Sequence, residues 1–105
     1  MGELPNPPSR YTEFVERFPK LGEAWERIAE AGREGPLDGR TARLVKLAVA
    51  IGALRQGPVH ASARKARAMG ISEAELEQVV ALAAGTIGLP AAVAAFSWLR
   101  DEAGA

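Results

Sequence analysis

The chain has one histidine, His60, and no cysteine in its 105 residues. Arg55, Ser62 and Arg64 stand around that histidine, and Arg43 precedes Arg55 by twelve residues. These types suit the handling of a small organic anion. An arginine grips a carboxylate through parallel hydrogen bonds, and its fixed charge stabilises an oxyanion formed as a bond breaks. His60 is the only side chain whose unperturbed titration lies near neutrality, so it is the natural proton donor. Arg55 and His60 are therefore the candidate catalytic pair. Ser62 can hydrogen-bond a lactone or carboxylate oxygen. Arg64, one helical turn after His60, offers a second anion contact, and Arg43 a third. Each residue also has a plain structural reading. His60 can be a cap or interface residue, Arg64 and Lys65 solvated charges, and Arg43 a partner for Glu30 or Glu34.

Composition removes other chemistries. Without cysteine there is no disulfide, no attacking thiolate and no thiolate metal ligand. One histidine cannot build a zinc site alone. No metal or cofactor is expected. Thirteen basic residues balance thirteen acidic ones, so nothing draws the whole chain towards nucleic acid or an anionic membrane. The N-terminal MGELPNPPSR lacks the apolar core of a signal peptide, and segment 40–54 is too short to span a bilayer. A cytoplasmic protein is the expectation.

The elements that must position these residues read as helices throughout. No stretch alternates with period two, so no strand is expected. Residues 1–8 carry three prolines and are read as a mobile arm, with one domain over 9–105. Phe14, Phe18, Leu21, Trp25 and Ile28 recur at spacings of four, three, four and three, the stripe of an amphipathic helix. Pro19 should divide or kink it. That stripe belongs to the core or to a subunit interface. After the turn-rich 32–39 loop, Asp38 is placed to cap a central helix. Leu44, Val45, Leu47, Ala48, Val49, Ile51 and Leu54 leave this helix so little polar surface that burial on most sides is expected. Gly57-Pro58 is read as the break after it, with Pro58 able to sit in the first turn of the next helix, over 59–69, which ends on Gly70. Ser72 and Glu75 spell a capping box for a helix over 73–85. Gly88-Leu89-Pro90 turns into the last helix.

The Ala66, Gly70, Ser72 and Leu76 spacing also fits a helix-turn-helix, next to the basic run Arg64, Lys65, Arg67. The second helix would, however, present Glu73, Glu75 and Glu77 to the duplex, where they repel phosphates. No nucleic-acid partner is expected.

In their order, the LxxLAVA-type helix around Leu44, the Arg64-Lys65 pair before the Gly70-Ile71-Ser72 corner, and the Gly88-Leu89-Pro90-Ala91-Ala92 turn resemble the carboxymuconolactone decarboxylase family, which includes the alkyl-hydroperoxidase D proteins. The resemblance covers roughly residues 10–102. It implies an all-α bundle of about five to six helices and assembly into homotrimers or homohexamers. The family's peroxidase branch uses a glutamate, a CxxC pair and a histidine. The matching positions here hold Arg43, Arg55 with Pro58, and Ser62. Peroxide reduction by that route needs an attacking and a resolving thiol, so this chain is not a thiol peroxidase. The decarboxylase branch has an arginine at the Arg55 position and a histidine at the Ser62 position. Here the imidazole lies two residues earlier, at His60. The resemblance implies a carboxy-lyase acting on a small carboxylic acid or lactone, or a catalytically silent relative that binds a small acid or acts as an oligomeric scaffold.

Overall fold

The structure, a computed structural model, describes residues 9–102. The residue 1–8 arm lies outside the described residues. Six helices and no strand are present among those described, so the fold is all-α. The chain divides into two compact units, one ending at Pro36 and one starting at Leu37.

The first unit holds α1 (Ser9–Arg17) and α2 (Pro19–Arg33). Pro19 separates them as expected. Its fixed φ and missing N–H suit the first helical position, and Phe18 occupies the N-cap at φ −129° and ψ 71°. The Phe14 and Phe18 rings lie 5.2 Å apart, tilted at 45°. No residue of α2 is buried. Within this unit the stripe builds no core of its own, with Trp25 58% and Ile28 60% exposed.

The second unit is a ring of four helices: α3 (Gly39–Gly52), α4 (Gln56–Ala68), α5 (Glu73–Ile87) and α6 (Leu89–Glu102). α3 packs on α4 and α5, and α6 packs on the same two. The core they share is Leu47 and Ile51 from α3, Val59, Ala63 and Ala66 from α4, Leu76 and Val80 from α5, and Ala92, Ala95 and Leu99 from α6. Alanine at so many of these positions brings the helix axes close, and the leucines and isoleucine fill the centre.

The ends of these helices follow local chemistry. Asp38 accepts the Thr41 N–H at 2.7 Å and starts α3. Ser72 accepts the Glu75 N–H at 3.2 Å, while Glu75 accepts the Ser72 N–H at 2.8 Å, closing the capping box. Gly70, with φ at +86°, ends α4 in the left-handed region. Its N–H bonds Arg67 O and the next N–H, of Ile71, bonds Ala66 O, the paired closure of a Schellman motif.

The same closure ends α3, and there the sequence misleads. Leu54, at φ +54°, takes the left-handed position, and Arg55 N–H reaches Ala50 O. The break therefore falls at 53–55. Gly57 and Pro58 sit inside the first turn of α4, where a proline costs no hydrogen bond. The burial expected around α3 is also incomplete. Leu47, Ala50 and Ile51 are buried, but Val45, Ala48 and Val49 face outward, with Val49 65% exposed. Val45 and Ala48 of that side line one wall of a groove.

Candidate functional site

The seam between α3 and α4 brings two of the candidate residues together. Arg43 is half-buried on α3, and its Nη1 donates to Ser62 Oγ on α4 at 3.4 Å. Ser62 is the one buried polar side chain among the described residues. It lies on the inward face of α4 with Val59, Ala63 and Ala66, which the four-residue recurrence of that face requires. The Arg43 Nε is fully buried and has no hydrogen-bond acceptor. No carboxylate pairs with Arg43 among the described residues of the four-helix unit. The buried Nε has given up water without gaining an acceptor, which favours an anion or polarised oxygen that can reach the guanidinium.

The other candidates are dispersed. Arg55 is exposed at the N-cap of α4, and its side chain makes no capping hydrogen bond. His60 is half-buried. It leaves α4 two residues before Ser62, about 200° around the helix. His60, Arg64 and Arg67 recur at i, i+4 and i+7 and so share a ridge. From that ridge Arg67 reaches Glu73 at the start of α5 through Nε and, at 2.9 Å, through Nη2, which also reaches the Leu99 carbonyl of α6 at 3.0 Å. The ridge thus turns away from the Arg43–Ser62 seam. The structure brings Arg43 to Ser62, while His60 leaves α4 from another face of that helix.

Charges at the helix starts are engaged. Glu75 is held by Arg40 and by the Ser72 N–H, which depress its carboxyl to about 2. Hydrogen bonding from Arg67 lowers Glu73, and the Thr41 backbone N–H lowers Asp38. The acidic start of α5 is therefore tied to α3 and α4. No cluster of three potential metal ligands occurs among the described residues, and no described helix is long and apolar enough to cross a membrane.

A second concave feature lies on the far side of α3. Thr41, Leu44, Val45, Ala48 and Gly52 face Gln78, Val79, Leu82, Ala83, Thr86 and Ile87 of α5 across a groove of about 550 Å³. Sequence reading missed it. The available signal was the apolar surplus of α3 and α5, which exceeds what one buried face can use.

The carboxymuconolactone decarboxylase family model matches residues 19–101. The chain belongs to the carboxymuconolactone decarboxylase family. No curated protein and no solved structure matches it. Within the carboxymuconolactone decarboxylase family, Arg43 and Ser62 stand at the positions where the resemblance places the peroxidase glutamate and histidine. The 3.4 Å contact across the α3–α4 seam brings these two positions together in this chain. What they offer is a cation and a hydroxyl, with no thiol in the chain to accompany them.

Proposed function

We propose that this family member takes a small carboxylic acid or its lactone, with Arg43 and Ser62 holding the oxygen that gains charge. The carrying observation is the half-buried Arg43, which has a buried Nε without an acceptor and a neutral hydroxyl as its neighbour. In loss of carbon dioxide from a lactone-bearing acid, the bond to the carboxylate carbon breaks. The electron pair moves through the ring double bond into the lactone carbonyl, whose oxygen becomes an enolate, and the carbon then takes a proton from solvent. Arg43 and Ser62 favour this reaction most by gripping the carbonyl oxygen rather than the departing carboxylate. A contact that strengthens as the enolate forms speeds the step, whereas one made equally to the starting acid does not.

One observation favours a second reading, a silent binder of small acids. His60, the natural proton donor, leaves α4 on a different side from Ser62. Calorimetric titration with 4-carboxymuconolactone, run beside a turnover assay, separates the readings. Binding with turnover, both lost in Arg43→Ala, supports the decarboxylase-like enzyme. Binding without turnover supports the silent binder. Equal binding by the wild type and Arg43→Ala removes the seam from either account.

A further inference from the structure

The net charge of zero is unevenly laid out along the chain. Residues 39–72 contain no aspartate or glutamate, yet they hold seven of the thirteen basic residues. α3 and α4 both lie in that span, so the two walls of the Arg43–Ser62 seam carry charge of one sign only. Charge of one sign gathered along a cleft focuses its field there and draws in anions. Two of these cations frame the Arg43–Ser62 pair. Lys46 follows Arg43 by three residues on α3, and Lys65 follows Ser62 by three on α4. Three residues carry a side chain about 60° around its helix and about 4.5 Å along it. α3 and α4 pack on each other across the short turn at Ala53–Arg55, so they run antiparallel. In an antiparallel pair the two 60° steps swing to the same side. Both lysines therefore leave on the solvent side of the seam, opposite the core that Leu47, Ala63 and Ala66 face, and both are exposed. One stands a turn above the Arg43–Ser62 contact and the other a turn below it.

We infer that Lys46 and Lys65 hold an anionic arm of the substrate at the mouth of this seam, an arm that the reaction leaves in place. The inference rests on the reading of Arg43 and Ser62 given above and adds the class of molecule: an acid or lactone with an anionic group set apart from the carbonyl at Arg43. Arg43 is taken up by the carbonyl oxygen, so a further anionic group needs cations of its own. Arg40 is bound to Glu75, and Arg67 to Glu73 and the Leu99 carbonyl. No carboxylate pairs with Lys46 or Lys65 among the described residues of the four-helix unit. An ammonium on a flexible stem can follow an arm that is itself flexible, where a guanidinium would fix it in one plane. The arm keeps its charge throughout the reaction. Its contact is therefore equal in the starting acid and the transition state, and it sets affinity and choice of substrate rather than rate.

Calorimetric titration with muconolactone tests this, because its ring carries the lactone carbonyl and one acetate arm. Its methyl ester keeps the ring and removes the charge. The proteins are the wild type, Lys46→Gln, Lys65→Gln, the double glutamine variant, the double Lys→Arg variant and Arg43→Ala. Each single glutamine variant should bind the acid about threefold more weakly, and the double variant about tenfold, as exposed ion pairs do. The double Lys→Arg variant should restore most of the affinity. The ester should bind the wild type and the double glutamine variant alike. Added salt should weaken acid binding by the wild type more than by the double glutamine variant. In turnover of 4-carboxymuconolactone, that variant should raise KM by more than it lowers kcat. A double glutamine variant that binds the acid as tightly as the wild type, while Arg43→Ala does not bind it, overturns the inference and leaves the reading of the seam intact. Equal losses for acid and ester overturn it too, since the lysines would then shape the seam without meeting a charge. A wild type that binds neither muconolactone nor 4-carboxymuconolactone removes the reading of the seam, and the inference falls with it.

Discussion

Replacing Arg43 by methionine should make the protein more stable and stop it binding its ligand. Methionine keeps the unbranched stem that packs along the α3–α4 seam and discards the charge. The gain comes from the buried Nε, which has no acceptor. An unsatisfied buried polar group costs about 1–3 kcal/mol, and the half-buried setting puts Arg43 near the lower end. The loss is the contact to Ser62, which at 3.4 Å is a long hydrogen bond worth about 0.5 kcal/mol or less. The net expectation is a gain of roughly 0.5–1 kcal/mol, which for a domain of this size raises Tm by about 2–8 °C. Thermal melts followed by far-ultraviolet circular dichroism, at one protein concentration so that self-association does not vary, measure it. A small acid at 100 times its Kd should add about 2.7 kcal/mol to the wild type and nothing to the variant. A melt lowered by Arg43→Met would mean that the guanidinium is satisfied where it lies, and the argument for an anion at the seam would fall with it.

Other expectations rest on separate parts of the fold. Leu76→Ala should lose about 2–5 kcal/mol in urea unfolding, because Leu76 is fully buried in the shared core and its removal leaves a cavity. Ser72→Ala should lose about 1 kcal/mol by the same measurement, through loss of the cap on α5. Acid should weaken the fold in a defined window. Glu75, Glu73 and Asp38 all have folded-state values below their ordinary ones, so the unfolded chain binds more protons. Their contribution is full above about pH 5 and is lost as pH falls towards about 2, where Glu75 titrates. Urea midpoints taken from pH 6 to pH 2.5 should fall through that window, and Glu75→Gln should flatten the slope.

Local signals carried most of the fold. The capping box at Ser72 and Glu75, the cap at Asp38 and the left-handed Gly70 are each spelled by residues within a few positions of one another, and each forms as written. The end of α3 is not legible in this way. Leu54 fills a left-handed position usually given to glycine, and no residue type announces it. The nearby Gly57-Pro58 pair suggests a break that the first turn of α4 absorbs. The apolar face of α3 was legible as a surface in need of cover, but whether the cover is the chain itself is decided by packing. For the site, Arg43 and Ser62 are nineteen residues apart and nothing local joins them. They entered as candidates because their types suit an anion and because the family resemblance aligns them with reactive positions. The turn of His60 away from Ser62 was readable from helical periodicity alone, whereas the lack of a carboxylate pairing Arg43 among the described residues of the four-helix unit required the structure.

The ring order of the four helices also bears on how fast the protein folds. α3 meets α4 across the turn at Ala53–Arg55, and α5 meets α6 across the single turn at Gly88, so two sides of the ring are hairpins between sequence neighbours. Only the pairings of α3 with α5 and α4 with α6 join more distant segments. A chain built on such local contacts has a low contact order and belongs with the helical bundles that fold in microseconds to milliseconds. Each hairpin can form before the ring closes, and Arg67, which reaches both Glu73 and the Leu99 carbonyl, bonds across the closing joint. The four-helix unit is thereby placed to finish folding quickly, well before any step that depends on meeting another molecule.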